Sequence, residues 1–288
     1  MTVAYSASEL EEKPRSVAIG TFDGVHVGHR RVLEAAVAPG QTPTVVTFDP
    51  HPRTVLGNQV ELIVPLHRRL ELLEEAGIED VLVVEFTLEL AGLEPEQFAE
   101  QTLRAIGAQV VVAGADFRFG RGRAGDLEVL RRLGFEVRSI PLVEGVSSSQ
   151  IRQVLGAGEI ERAAQGLGRP PELEGVVVSG DARGGTLGFP TANLRVDPNV
   201  LVPTYGIYAG FAEGTRAALS VGTNPHYGGN ERRIEVFLLD FDGDLYGRRL
   251  VVELWRRLRE ERAFANEAEL VEQIARDVEQ ARSAVRPA

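Results

Sequence analysis

The sequence predicts two domains of different class: a doubly wound α/β domain over residues 1–167, and a small antiparallel β-barrel with a terminal helix over residues 168–288. Two patterns and the length predict this. Short apolar runs alternate with amphipathic stretches in the first half, which implies a parallel sheet covered by helices. Beyond Gly168-Arg-Pro-Pro-Glu172, which reads as a linker, short strands follow one another through glycine-rich turns with no helical pattern between them. A length of 288 residues suits about two domains, each large enough for its own core.

The first strand is expected over 17–22, followed by a tight turn at Gly24 and a helix over 28–38 closed by Pro39 and Gly40. Further strands are expected over 43–48, 80–86, 109–114 and 135–140. Between them lie helices over 65–76, with Pro65 at the first helical position and Gly77 beyond the end, and over 95–106, closed by Gly107. In the second half, strands are expected over 173–179, 207–212, 216–221, 234–241 and 248–257. A final helix over 267–282 carries an apolar stripe of Leu270, Val271, Ile274 and Val278. No internal repeat or low-complexity tract interrupts this plan.

Composition narrows the chemistry. Hydrophobic residues make up 43% and charged residues 25%, the balance of a globular protein. Residues 1–13 contain acidic side chains and no apolar run, and no segment approaches a membrane span, so no signal peptide is expected and the cytoplasm is the expected location. Cysteine is absent, which excludes disulfides and thiolate chemistry, and Lys13 is the one lysine, so no glycine-rich loop has a phosphate-binding lysine. Phosphate contacts fall to arginine, histidine, hydroxyls and backbone amides. A net charge of −11 argues against a nucleic-acid surface. Oligomerisation finds no support in the sequence.

The first strand runs into Gly20-Thr-Phe-Asp-Gly-Val-His-Val-Gly-His29. Gly20, Phe22, Asp23 and Gly24 form the turn, and His26 and His29 fall at the helix start. Three residues is nearly one helical turn, so both imidazoles should point the same way, beside the unpaired amides and positive dipole end of the helix. Gly24 and Gly28 would let the backbone approach a nucleotide's phosphates. The loop after the second strand, Thr47-Phe-Asp-Pro-His-Pro-Arg53, projects Asp49 and His51, although Asp-Pro and His-Pro are also ordinary loop formers. After the next strand, Gly114-Ala-Asp-Phe-Arg-Phe-Gly-Arg-Gly-Arg-Ala-Gly125 sets Asp116, Arg118, Arg121 and Arg123 among glycines, a positive patch in an acidic chain. Ser148 and Ser149 start a helix that carries Arg152, a set that suits helix capping and equally suits a triphosphate.

In the second half, Ser179-Gly-Asp-Ala-Arg-Gly-Gly-Thr-Leu-Gly-Phe-Pro-Thr-Ala-Asn193 is a glycine-rich loop in which Thr191 and Asn193 offer hard oxygens at alternate positions, the ligand type magnesium takes. Glu235 lies on the strand 234–241, where an isolated glutamate would face solvent.

Together these motifs resemble the bifunctional bacterial riboflavin kinase/FMN adenylyltransferase (FAD synthetase) family. The resemblance implies a Rossmann-like nucleotidyltransferase domain followed by a riboflavin kinase barrel, with riboflavin, FMN and ATP as substrates and Mg2+ as cofactor. It implies that His26 and His29 stabilise charge on the triphosphate, and that Asp116 helps place the substrates. Ser148, Ser149 and Arg152 would hold phosphates. In the kinase half it implies that the loop with Gly180, Arg183, Gly188 and Pro190 binds nucleotide, that Thr191 and Asn193 hold the metal, and that Glu235 takes the proton of the riboflavin 5′-hydroxyl. The chain departs from the family where Gly185 replaces a basic residue, where Pro225-His226 replaces a Pro-Thr pair, and where Ser149 replaces a threonine. A single active half, or a flavin-binding sensor without turnover, stands as the alternative.

Overall fold

The structure is a computed structural model, and it describes residues 1–37, 40–179, 189–223 and 232–287. Two compact units divide the chain, Met1–Ser148 and Ser149–Ala288.

The first unit is built on a six-stranded sheet. Its strands are β1 (Thr2–Ala4), β2 (Arg15–Ile19), β3 (Thr42–Asp49), β4 (Asp80–Glu85), β5 (Ala108–Gly114) and β6 (Glu136–Ile140). Their spatial order is β1-β4-β3-β2-β5-β6, and every pair is parallel. Every residue of β2 is buried, as expected of a strand covered on both faces, which is why it reads as an uninterrupted apolar run apart from its first two residues. Those two are Arg15 and Ser16. Arg15 lies wholly buried and pairs with Asp80 at the start of β4, while Lys13 reaches the same carboxylate at 3.1 Å. β1 was not expected: it is three residues long and pairs only with β4 at the sheet edge, too short to carry a period of its own.

The helices of this unit are α1 (Val27–Ala36), α2 (Pro52–Val55), α3 (Leu66–Glu75), α4 (Leu88–Ala91), α5 (Pro95–Phe98) and α6 (Leu127–Arg132). Pro65 is the N-cap of α3 rather than its first residue. The helix expected over 95–106 starts as α5 and continues as a π-helical stretch, Ala99–Arg104, before Gly107 at φ +77°. Phe98, Leu103, Val111, Leu130 and Phe135 belong to one buried cluster on the sheet.

The second unit opens with most of α7 (Ser148–Gly156) and with α8 (Ile160–Leu167). A closed barrel follows, built from β7 (Glu172–Val178), β8 (Ala192–Val196), β9 (Gly206–Ala212), β10 (Thr215–Thr223), β11 (Arg232–Leu238) and β12 (Arg249–Arg259), in the order β10-β11-β8-β7-β12-β9. All neighbours in the barrel are antiparallel. β8 is the strand the sequence reading missed, because its Ala-Asn start was read only as part of a ligand loop. Helix α9 (Glu267–Ser283) ends the fold. Its fully buried line is Gln273, Asp277 and Ala281, with Leu270, Val271, Ile274 and Val278 half-buried beside it. The apolar stripe therefore flanks the contact instead of forming its centre, and Arg259 binds Asp277 with two nitrogens at 2.7 to 3.1 Å.

Candidate functional sites in the two units

In the first unit the chain steps from β2 to β3 and β4 on one side of the sheet and then returns to place β5 on the other side of β2. Strand order reverses there, and the crevice beyond the carboxyl ends of β2 and β5 is where open α/β sheets take ligands. The loop after β2 ends at His26, with His29 in the first turn of α1, and the loop after β5 carries Asp116 and Arg118.

His26 is the N-cap of α1, and its Nδ1 accepts the His29 amide N–H at 3.2 Å. That amide is therefore engaged by a side chain, a correction to the expectation that the first-turn amides are unpaired. The contact has a chemical consequence. With Nδ1 accepting, a neutral His26 carries its proton on Nε2, which makes Nε2 a donor. The His26 and His29 rings stack with centroids 3.5 Å apart and planes at 13°, so the two imidazoles do face alike. The ring of Phe22 meets His29 edge-on at 5.1 Å. Phe22 is 1% exposed and supports the histidine pair from the core side.

The turn itself is conformationally demanding. Phe22, Gly24 and Val25 have φ of 49°, 81° and 40°. A Cβ on Gly24 would lie 2.9 Å from Ile63 Cδ1, and one on Gly28 would lie 3.1 Å from His26 Cε1. Gly24 is thus required by the turn, and a Cβ on Gly28 would press on the His26 ring of the histidine stack. Asp23 is completely buried, and its carboxylate accepts the amides of Ile63 and Val64 at 3.0 to 3.3 Å. Through these bonds it anchors the turn. Gly20 is half-buried and donates to the Val46 carbonyl. Ser148, the last residue of the first unit, donates its hydroxyl to the Asp23 carbonyl at 3.0 Å.

At the end of β3, Asp49 is partly exposed, whereas His51 is buried and caps α2 by accepting the Arg53 amide. Beyond β5, Asp116 is exposed in a turn closed by the Phe117 amide and the Gly114 carbonyl. Arg118 pairs with Asp126 at 3.0 Å and Arg121 pairs with Glu94. The expected patch of three arginines is therefore largely neutralised by neighbouring acids. Gly120 and Gly125 sit against Pro95, where an added Cβ would approach to 2.9 and 2.8 Å, so packing accounts for these two glycines. Ser149 is exposed and Arg152 half-buried on α7, in the second unit.

Sequence reasoning missed Arg69 of α3. It is 1% exposed, and its Nη1 donates to the Thr21 carbonyl, the Thr47 hydroxyl and the Phe48 carbonyl at 2.9 to 3.1 Å. Burial pushes its pKa down, against the opposing pull of Asp23 and Asp49. The signal was present: an arginine three residues before Leu72 and four before Leu73 stands on the buried face of an amphipathic helix.

In the barrel, Asn193 on β8 and Glu235 on β11 are direct register partners, and Ser220 on β10 flanks Glu235 on the other side. Directly opposed residues of an antiparallel pair place their Cβ atoms about 4.5–5.5 Å apart on one face. Ile234, Val236 and Leu238 fill the interior, so the intervening Glu235 stands on the outer face with its side chain 34% exposed. Arg233, two residues earlier, brings Nη1 to 3.6 Å from Glu235 Oε1. Thr191 and Asn193 alternate along the adjacent segment, both half-buried, and Phe189 meets Phe237 edge-on at 5.5 Å. Pro190 is exposed. Gly180, Arg183, Gly185, Gly188, Pro225 and His226 lie outside the described residues. Among the described residues no three His, Asp or Glu side chains gather as a metal cage. Thr191 and Asn193 offer hard oxygens of the type magnesium takes, and Asn193 lies opposite Glu235.

Among the described residues no helix is long and apolar enough to cross a membrane. The FAD synthetase family model matches residues 8–152 and the riboflavin kinase model residues 167–285. A bifunctional riboflavin kinase/FMN adenylyltransferase of Bacillus subtilis is 37% identical over 94% of this chain and 93% of its own length. The protein of the same name from Escherichia coli K12 is 35% identical over 95% and 93%. A crystal structure from Streptococcus pneumoniae, described as a macrolide-efflux protein, superposes with a TM-score of 0.89 at 30% identity, covering 98% of this chain and 99% of its own. Two family models that together span nearly the whole chain, in the order of its two folds, establish that it belongs to the bifunctional riboflavin kinase/FMN adenylyltransferase family.

Proposed function

We propose that the barrel phosphorylates riboflavin to FMN and that the α/β unit then adenylylates FMN to FAD, with ATP as the co-substrate of both steps. The observation that carries the reading is that each unit has its own phosphate-directed constellation: the stacked His26 and His29 pair at the strand-order reversal, and the Asn193–Glu235 register pair on the barrel.

In the first unit a phosphate oxygen of FMN attacks the α-phosphorus of ATP, the bond to the bridging oxygen breaks, and pyrophosphate leaves. This displacement needs placement and charge stabilisation more than an enzyme nucleophile. His26 Nε2–H and the His29 imidazole supply donors where negative charge gathers on the departing pyrophosphate. Asp49 and Asp116, exposed at the ends of β3 and β5, contact the substrates, while Phe22, Asp23 and Gly24 hold the turn in shape. Arg118 joins a phosphate by leaving Asp126.

In the barrel the riboflavin 5′-hydroxyl attacks the γ-phosphorus of ATP, Glu235 accepts the hydroxyl proton, and ADP leaves. Thr191 and Asn193 hold Mg2+, which neutralises charge on the triphosphate oxygens when bound. Boundaries at about 167 and 168 assign one activity to each half, and the protein works in the cytoplasm.

Incubating the purified chain with riboflavin, ATP and magnesium should yield FMN first and FAD second by chromatography. His29→Ala should lower FAD formation by about 10²–10³-fold and spare FMN formation. Glu235→Gln should lower FMN formation by about 10²–10⁴-fold and spare the conversion of supplied FMN to FAD. Loss of both activities in either variant, or of neither, would reject the assignment.

A further inference from the structure

Arg69 lies beneath the adenylylation site without being part of its surface. Its Nη1 binds acceptors from two separate segments at once: the Thr21 carbonyl in the turn after β2, and the Thr47 hydroxyl and Phe48 carbonyl near the carboxyl end of β3. Its Nε and Nη2 are fully buried and make no hydrogen bond among the described residues. The anion nearest to Nη2 is Asp49, with Oδ1 at 3.8 Å. The Asp49 side chain is 40% exposed, whereas that of Arg69 is 1% exposed.

A guanidinium removed from water at this depth is unfavourable unless its charge is answered, and a packed apolar side chain is often the more stable choice at such a position. The acceptors it hydrogen-bonds are all neutral, and the carboxylates that answer its charge, buried Asp23 and then Asp49, do so without a hydrogen bond. Stability alone therefore gives a poor account of it. The turn it binds leads into the α1 start that carries His26 and His29, the strand end it binds carries Asp49, and of Arg69 and Asp49 only the latter reaches solvent. Thr47 adds a second tie, since its hydroxyl also donates to the Thr21 carbonyl at 3.1 Å.

We propose that Arg69 is a positioning residue for adenylyl transfer: it locks the histidine turn to the end of β3 and acts on the bound nucleoside triphosphate through Asp49, its exposed partner. This rests on the adenylyltransferase reading of the first unit. The role is one of geometry and field, because Arg69 itself does not reach the surface.

The test uses the full-length protein with Arg69→Met, Arg69→Lys, Asp49→Asn and the Arg69→Met/Asp49→Asn double variant. Riboflavin phosphorylation in the same samples controls for the amount of folded barrel, and an unaltered KM for ATP in adenylylation controls for folding of the first unit. Arg69→Met should lower kcat for FMN adenylylation by about ten- to a hundredfold, with KM for ATP changed less than about threefold and phosphorylation unchanged. Arg69→Lys should recover part of the lost kcat. In the double variant the losses should fail to multiply, because Asp49 acts through the same contact. Multiplying losses, a lysine variant no better than methionine, or unchanged adenylylation would each overturn the proposal. If Arg69→Met loses both activities through misfolding, the same cycle built on Arg69→Lys decides by the same criterion. Wild-type protein that forms FMN but no FAD would reject the adenylyltransferase reading itself, and the inference with it.

Discussion

Gly24 carries two constraints at once: a φ of +81° that side chains rarely adopt, and an Ile63 methyl 2.9 Å from where a Cβ would sit. Gly24→Ala should therefore destabilise the first unit by about 1–3 kcal/mol, read as a lowered denaturation midpoint. A change within a few tenths of a kcal/mol would show that the turn relaxes freely. At this scale the sequence was informative about which residues matter and less so about what they do. The pairing of His26 with His29 follows from their spacing, and the rings do stack. Asp23 and His51 were expected at a ligand, yet one anchors Ile63 and Val64 and the other caps α2. A polar side chain in a motif looks the same in a sequence whether its partner is a substrate or a backbone amide 40 residues away. Arg69 shows the converse case, a charged residue on a buried helix face whose partners come from a distant turn and a distant strand end.

At the scale of elements, strong periodicity was legible and short or doubly employed segments were not. The strands β2, β3, β4 and β5 stand close to their expected bounds, because buried parallel strands are continuous apolar runs, and the edge strand β6, none of whose residues is buried, begins one residue later than expected. β1 has three residues, and β8 is built from a motif dominated by its polar members, so neither announces itself. The terminal helix α9 is instructive because its contact line is partly ionic. Asp277 is 3% exposed and accepts from Arg259 and from Gln273 Nε2. Asp277→Ala would strand the Arg259 guanidinium and should destabilise the second unit by about 3–5 kcal/mol. Trp255, the single tryptophan, packs parallel to Phe211 in the barrel and reports that unfolding by fluorescence. An unchanged urea midpoint for the tryptophan signal would mean that α9 does not brace the barrel.

At the scale of the whole molecule, a net charge of −11 coexists with internal carboxylates that are individually satisfied. Burial pushes the Asp80 carboxyl up, but hydrogen bonds from Arg15 and Lys13, together with their charges, outweigh it and hold the group below its ordinary value of 3.8. The unfolded chain therefore binds this proton more readily than the folded one. Its stabilisation is complete above the unfolded pKa and is lost as pH falls through the folded value. Glu253 behaves alike, with burial opposed and overcome by Arg286 and the Trp255 indole N–H. Acid titration should thus destabilise the protein below about pH 4, and Asp80→Asn should flatten that dependence while lowering stability at pH 7. Equal acid slopes for the variant and the wild type would remove Asp80 from the account. The sequence by itself determined the two fold classes, their order along the chain and the motifs at the ends of β2 and β5 and beside β11, since these follow from local period, turn chemistry and charge. Only the tertiary structure decided which motif residues face outward, which acids neutralise Arg118 and Arg121, and that Asn193 lies opposite Glu235. Those outcomes depend on strand order and register, which bring together residues that no local pattern relates.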